Sequence, residues 1–346
     1  MNARRKAKLD LVLHRMFHLK APKVLMALTI LLCLNPEISI FEEKYDIVEL
    51  FAGQEWISRC YKHFGYSAAA LDILKGNPET SKQDCMDICS DAGFALALLT
   101  ILNGKFDAMV CFIGLVCSSF VTISSGTHYR APWDPLGRTH IGMVSLGNLL
   151  ASRTALLIFA VAAMNGAWVV EQPRSSLVHW HPRFRDLWRS LPKVYQAAWW
   201  MGAYGSLTMK RHIAWSNCRS VMCFDLGTIT KAVQKKKFNH QAKSARTYKN
   251  RRGKKAFHGT SFLKGTQTYP PMFGLKVLRL HHRFCTRKEA LPRSCSETVP
   301  DGFQLFKSLP WEDWWNDANT KSVFAYLRGS RDLELGEWRE LMPTHI

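Results

Sequence analysis

Cys117 lies just beyond the apolar run 108–113, in a loop that opens with Gly114. A continuous apolar run bounded by Asp107 and Gly114 predicts a strand buried on both faces. Open α/β sheets bind ligands in the loops after the carboxyl ends of their strands, so a thiol there is either a nucleophile or loop filler. Two more residues hold comparable places. Gly53 directly follows a short apolar strand at 47–51, and without a side chain its backbone can approach a nucleotide-type cofactor closely. Asp72 ends the next strand, 67–71, where a carboxylate either accepts ribose hydroxyls or caps an ordinary turn. The 19 residues between Gly53 and Asp72 suit a β-α-β unit.

The elements that must position these residues follow from the same pattern. Helices are expected at 55–63, 87–102 and 142–165, with Gly166 as the C-cap of the last. A further short buried strand, 167–170, ends at Glu171. Strands alternating with helices from residue 45 to about 217 predict an α/β fold: a Rossmann-like, mostly parallel sheet with flanking helices, occupying 45–221. Residues 1–44 read as a basic arm leading into an apolar helix. Residues 222–346 read as an irregular region, basic first and then acidic and aromatic. Within it, 266–283 has strand-like pieces around Pro270-Pro271. Trp311, Trp314 and Trp315 share one helical face that suits packing back onto the domain.

Composition narrows the partners. The chain has 346 residues and a formal charge of +20, and residues 231–260 hold eight Lys and three Arg with no acid. Such a run is a solvated tail or a phosphate-binding segment, and the interleaved Phe238, Tyr248 and Phe257 favour nucleic acid, because rings stack on bases. Lys235, Lys236, Lys237, Arg246, Arg251, Arg252, Lys254 and Lys255 are the expected contacts, with DNA favoured over RNA. The N-terminal cations Arg4, Arg5, Lys6, Lys8, Arg15, Lys20 and Lys23 face one acid, Asp10. The apolar run 24–34 that follows is too short to span a bilayer, so no stable membrane insertion is expected. Organelle targeting by this end stays open beside a nuclear or other nucleic-acid-containing location. Ten cysteines without a CxxC pair read as thiols of a reducing compartment. Cys85/Cys89 and Cys218/Cys223 are too loosely spaced to predict a metal site. Arg130, Arg138 and Arg153 read as surface arginines rather than phosphate contacts, 124–127 as a lid or a static turn, and His179 and His181 as structural rather than catalytic.

The order of these motifs resembles the cytosine-C5 DNA methyltransferases. Residues 48–53 (V-E-L-F-A-G) are similar to that family's D-L-F-A-G cofactor motif, and Asp72 matches its ribose-holding acid. Met86-Asp87-Ile88 resembles the G-D-I step, and 114–120 stands where the family has G-P-P-C-Q-x-F-S. Val169-Val170-Glu171 falls at E-N-V, and 203–212 resembles Y-G-V-P-Q-x-R-x-R, with Lys210 and His212 in place of two arginines. The resemblance covers about half the chain. It implies S-adenosylmethionine as cofactor, held by Phe51, Ala52, Gly53, Asp72, Asp87 and Gly114. It implies Cys117 as the nucleophile at cytosine C6, Glu171 gripping the base and Lys210 touching substrate. The target base must then leave the duplex or be presented single-stranded.

This sequence departs from the family at definite points. Gly-x-Gly-Gly reads Gly53-Gln54-Glu55-Trp56, Val116 replaces the proline before the nucleophile, and Ser118 replaces glutamine. No segment near the C-terminus resembles the family's closing motif, which returns to complete the cofactor domain, and no target-recognition domain is recognisable. Two other functions stay open: a nucleic-acid-binding protein of this fold that does not catalyse, and a methyltransferase acting on another substrate.

Overall fold

The computed structural model describes residues 3–75, 86–206, 208–229, 245–249, 253, 255–259 and 268–287. Its main sheet contains β1 (Ile47–Leu50), β2 (Ala68–Leu71), β3 (Val110–Ile113), β4 (Ala167–Pro173), β5 (Tyr195–Trp200) and β6 (Arg211–Ser216), in the order β2-β1-β3-β4-β6-β5. The first four are parallel neighbours, as expected. β6 is antiparallel to both β4 and β5, so the sheet is mixed at that edge. The reason is reach. Only residues 201–210 join β5 to β6, turning through Gly205 at φ +89°, whereas a parallel crossover takes about a dozen or more.

Side-chain alternation along the strands divides the core into two layers. Val48, Leu50, Cys111, Ile113, Trp168 and Val170 face one side. There they meet α1 (Ala3–His18), α2 (Lys23–Leu34), α4 (Asp91–Leu102) and α6 (Gly142–Ala163), with α7 (Pro182–Ser190) beside α6. Ile47, Val110, Phe112, Val169, Ala197 and Trp199 face the other side, which α3 (Trp56–His63) and α8 (Pro271–Arg287) cover. A short α5 (Ser125–His128) follows the Cys117 loop.

Four expectations are sharpened or corrected. First, the basic arm before the apolar helix is itself a packed helix: α1 buries Leu9, Val12, Leu13 and Met16 and packs on α6. Two of its cations are spent on carbonyls at helix ends. Arg5 donates to the carbonyls of Leu32, Asn35 and Ile38 around the end of α2, and Arg15 donates to Ala163 O at 3.1 Å, at the end of α6. Second, Asn165, not Gly166, takes the left-handed position after α6, at φ +56°. Gly166 is needed for space instead, since a Cβ there would lie 2.7 Å from Met109 Cγ. Third, α4 begins at Asp91, capped by Ser90 Oγ accepting from Gly93 N at 2.9 Å, so Asp87 lies in the turn before the helix. Fourth, the strand-like reading of 266–283 gives way to α8, because Pro271 opens the helix at the one end where a missing N–H costs nothing.

The basic stretch contains an antiparallel ribbon of β7 (Ala245–Lys249) and β8 (Lys255–Gly259). The tryptophan face at 311–315 lies outside the described residues. By length and composition α6 is apolar enough to cross a membrane, yet it is mostly buried against the sheet and its neighbours. Eight cysteines among the described residues are free.

Candidate functional site

The order β2-β1-β3 creates a switch point: connections from β1 and β2 leave on opposite sides, opening a crevice beyond the carboxyl ends of β1 and β3. The loop after β1 borders it. Phe51, Gly53 and Glu55 all have left-handed backbones, at φ +58°, +51° and +58°. Glu55 therefore holds, with a side chain, the conformation that the family's second glycine would supply freely. Gly53 is exposed, with nothing near its Cβ direction, and its N–H donates to Asp72 Oδ2 at 2.8 Å. Asp72 Oδ1 accepts from Leu74 N at 2.9 Å, so one carboxylate oxygen fastens β2 to the β1 loop and the other closes the turn after β2. Asp87 accepts from Cys89 N at 2.8 Å, and its turn is clamped by Arg153, which donates to the carbonyls of Ile88 and Ser90. Arg153 is thus a half-buried brace, not a surface arginine.

Glu49, one turn of the pattern earlier on β1, was not singled out by sequence. It is buried, and its Oε2 accepts from Ser58 N at 2.8 Å and Ser58 Oγ at 2.6 Å, while Oε1 has no partner among the described residues. Burial pushes its carboxyl up to about 7, against the pull of the Ser58 bonds.

The reactive cluster sits on the α3/α8 side. Glu171, on β4, is buried, with His212 Nδ1 on Oε1 and the Tyr269 hydroxyl donating to Oε2. Burial raises its carboxyl, but His212, Tyr269 and Lys210 together overcome that and hold it below its usual value. Cys117 is half-buried. Burial pushes its thiol up, Lys210 draws it down and Glu171 raises it again, so the three groups are close enough to couple electrostatically. Gln172, next to Glu171, donates to Leu115 O at 2.5 Å and holds the Cys117 loop against β4. His212 stacks on Trp199 with ring centroids 5.9 Å apart, and its Nε2 is buried without a partner among the described residues.

Tyr269 is the central residue that sequence reasoning missed. It comes from the segment before α8, stacks edge-on to Phe112 at 5.4 Å, and places its hydroxyl where a Cβ on Gly114 would be only 2.7 Å away. Gly114 is thus glycine because Tyr269 occupies the space above it. The only local signal was the Tyr269-Pro270-Pro271 sequence, which says nothing about a partner 98 residues away.

Beyond Cys117 the chain is rigidified by Arg130, which is 4% exposed rather than a surface residue. It donates to Ser119 O and Oγ, Pro135 O, Leu136 O, Val144 O and Asn148 Oδ1, and lies 4.1 Å over the Phe120 ring. Asn148 therefore faces this hub. His128 is buried and its Nδ1 accepts from Arg130 N at 2.8 Å. His181 Nδ1 accepts from Arg183 N at 3.3 Å at the start of α7, and burial drives its pKa down to about 4. Arg138 lies over the Tyr129 ring at 3.4 Å.

Of the expected nucleic-acid contacts, Arg246 is exposed on β7 and Lys255 belongs to β8. Lys235, Lys236, Lys237, Arg251, Arg252 and Lys254 lie outside the described residues. No group of three metal-ligating side chains occurs among the described residues. Compared with known protein families, with characterised proteins and with solved structures, the chain matches none.

Proposed function

We propose that the chain is a Rossmann-like, S-adenosylmethionine-dependent methyltransferase acting on a nucleic-acid base, with cytosine C5 the target its residues suit best. The observation that carries this is that Glu171 and Gly114 share one neighbour, the Tyr269 hydroxyl, while the Cys117 loop is fastened to β4 by Gln172, within electrostatic reach of Glu171 and Lys210. The return of α8 onto α3 supports it too: a C-terminal segment packs beside the β1 loop, although its sequence does not match the family's closing motif.

The cofactor suits the residues at the crevice. Gly53 has open space, and Asp72 keeps acceptor capacity beyond its two backbone bonds, enough to take ribose hydroxyls. Phe51, Ala52 and Gly114 border the same opening, and Asp87 is assigned to the adenine ring. When bound, S-adenosylmethionine supplies a methyl group on a sulfonium. Cys117 gives its proton to solvent and Sγ adds to cytosine C6; the C5–C6 electron pair moves toward C5 and the ring takes a proton from solvent at N3, so that C5 becomes the nucleophile. The Glu171 carboxylate then accepts from N3–H and from the exocyclic amine, and Lys210 stabilises the thiolate before it adds. Once C5 carries the methyl group, water takes the C5 proton, the C6–S bond breaks, N3 releases its proton and the thiolate is restored. For a base to reach Glu171, the Tyr269 hydroxyl must give up Oε2.

That filled position, with a thiol raised by burial, favours a second reading: a nucleic-acid-binding protein of this fold without catalysis. Two measurements separate them. Calorimetry is expected to give micromolar S-adenosylmethionine affinity, and 5-fluorocytosine DNA is expected to form a covalent adduct that Cys117→Ala abolishes. No cofactor binding would leave the second reading, and methyl transfer surviving Cys117→Ala would mean another substrate.

A further inference from the structure

A shallow cup lies on the α7 side, with Cys117 not among its lining residues. Pro132, Trp133 and Pro135 form one wall, and Trp180, Pro182 and Arg185 form the other, around a cavity of about 250 Å³. Drug-sized pockets run from about 300 Å³ upward, so this one suits a single planar ring. Trp133 is 87% exposed. A lone exposed tryptophan is unremarkable, but this one is built in. Pro132 and Trp133 form the tip of a turn closed twice, by Ala131 N to Asp134 O and Asp134 N to Ala131 O, each 3.0 Å. Arg130, directly before that turn, is fixed by the hub described above. The backbone that presents the ring is therefore fixed, so that part of the ordering cost is met before any ligand arrives.

The charge around the cup selects the ligand. Arg185 and Arg189 line the cup together with Asp186, which Arg189 already meets at 3.2 Å, so Arg185 is the cation left to a ligand there. Arg185 lies over the Trp180 ring at 5.9 Å, leaving a cation beside an aromatic face. Rings for a base next to guanidinium groups for its phosphates are what a single-stranded nucleic acid requires.

We propose that this cup binds one unstacked nucleotide of the nucleic-acid substrate, its base against Trp133 and its phosphate toward Arg185. It rests on the nucleic-acid part of the proposed function and not on methyl transfer. The test is a fluorescence-anisotropy titration of the full chain with labelled single-stranded oligothymidylate over a range of salt. Trp133→Ala is expected to weaken binding about ten-fold without changing the salt slope, and Trp133→Phe to recover most of it. Arg185→Ala is expected to weaken binding and lower the slope by about one. Affinity within about two-fold of wild type for both alanine variants overturns the proposal. So does Trp133-dependent binding of a proline-rich peptide with oligonucleotide affinity unmoved. The readout needs neither Cys117 nor cofactor, so it can succeed in a protein that fails the trapping assay and fail in one that passes.

Discussion

Two buried carboxyls on one face of the sheet are tuned in opposite directions, and each has a measurable consequence. Glu171 is held below its usual value by its partners, so its contribution to stability is present above the unfolded pKa and is lost as pH falls through the folded one. Glu49 is the reverse. With a folded pKa of about 7 against an ordinary 4.5, the native state holds the proton more tightly, and stability falls as pH rises from about 4.5 to 7. Glu49→Gln is expected to flatten that decline, which amounts to about 3 kcal/mol at most, and thermal melts between pH 5 and 8 would detect it. A wild-type melting temperature that does not fall over that range would contradict the assignment. Gly114 offers a second test. Its Cβ direction ends 2.7 Å from the Tyr269 hydroxyl, so Gly114→Ala should cost about 1–3 kcal/mol in the native background. In a Tyr269→Ala background it should cost much less. Equal costs in both backgrounds would mean that Tyr269 does not fill that space.

At the scale of elements, Arg130 decides whether the segment after Cys117 is a loop or a platform. A lysine cannot reproduce a planar fork that reaches five residues. Arg130→Lys is expected to destabilise the protein by about 3 kcal/mol or more, with faster hydrogen exchange through 131–141. Unchanged exchange there would refute the role. The elements that sequence made legible are those governed by local pattern. The apolar runs of β1, β3 and β4 and the loops after them are where periodicity and flanking glycines put them. β5, β6 and α8 were not legible, for physical reasons. Trp199 and Trp200 alternate against layers that form only after folding, and Pro270-Pro271 looks like a break until one sees that a helix starts there. The site divides the same way. Gly53, Asp72 and Cys117 each follow a strand, and Glu171 stands at the end of an apolar run inside β4, so their positions were readable, whereas Tyr269 and the partnering of His212 with Glu171 depend on contacts across 98 and 41 residues.

For the molecule as a whole, charge is partitioned. Cations in α1 are committed to helix ends and to Glu43 and Asp107, while the excess in 231–260 has no acidic residue in its own segment. The expected result is that nucleic-acid affinity depends steeply on salt and that the dependence resides in the second group. Replacing Lys235, Lys236 and Lys237 by Ala should reduce the slope of log K against log salt by up to about 3. Replacing Arg4 and Lys6, in the first group, should leave it nearly unchanged. If instead the N-terminal changes moved the slope, the partition would be wrong.

The docking of α1 on α6 also has a meaning in time. Synthesis delivers α1 first, and its partner follows only after more than a hundred further residues. Throughout that interval Leu9, Val12, Leu13 and Met16 have no α6 to cover them, and when α6 does emerge it is a 22-residue apolar cylinder of the kind a membrane accepts. Whichever of the two is met first by a chaperone or a lipid surface competes directly with the native fold. The stability of the finished protein and the yield of making it are therefore separate quantities, and α1 governs the second.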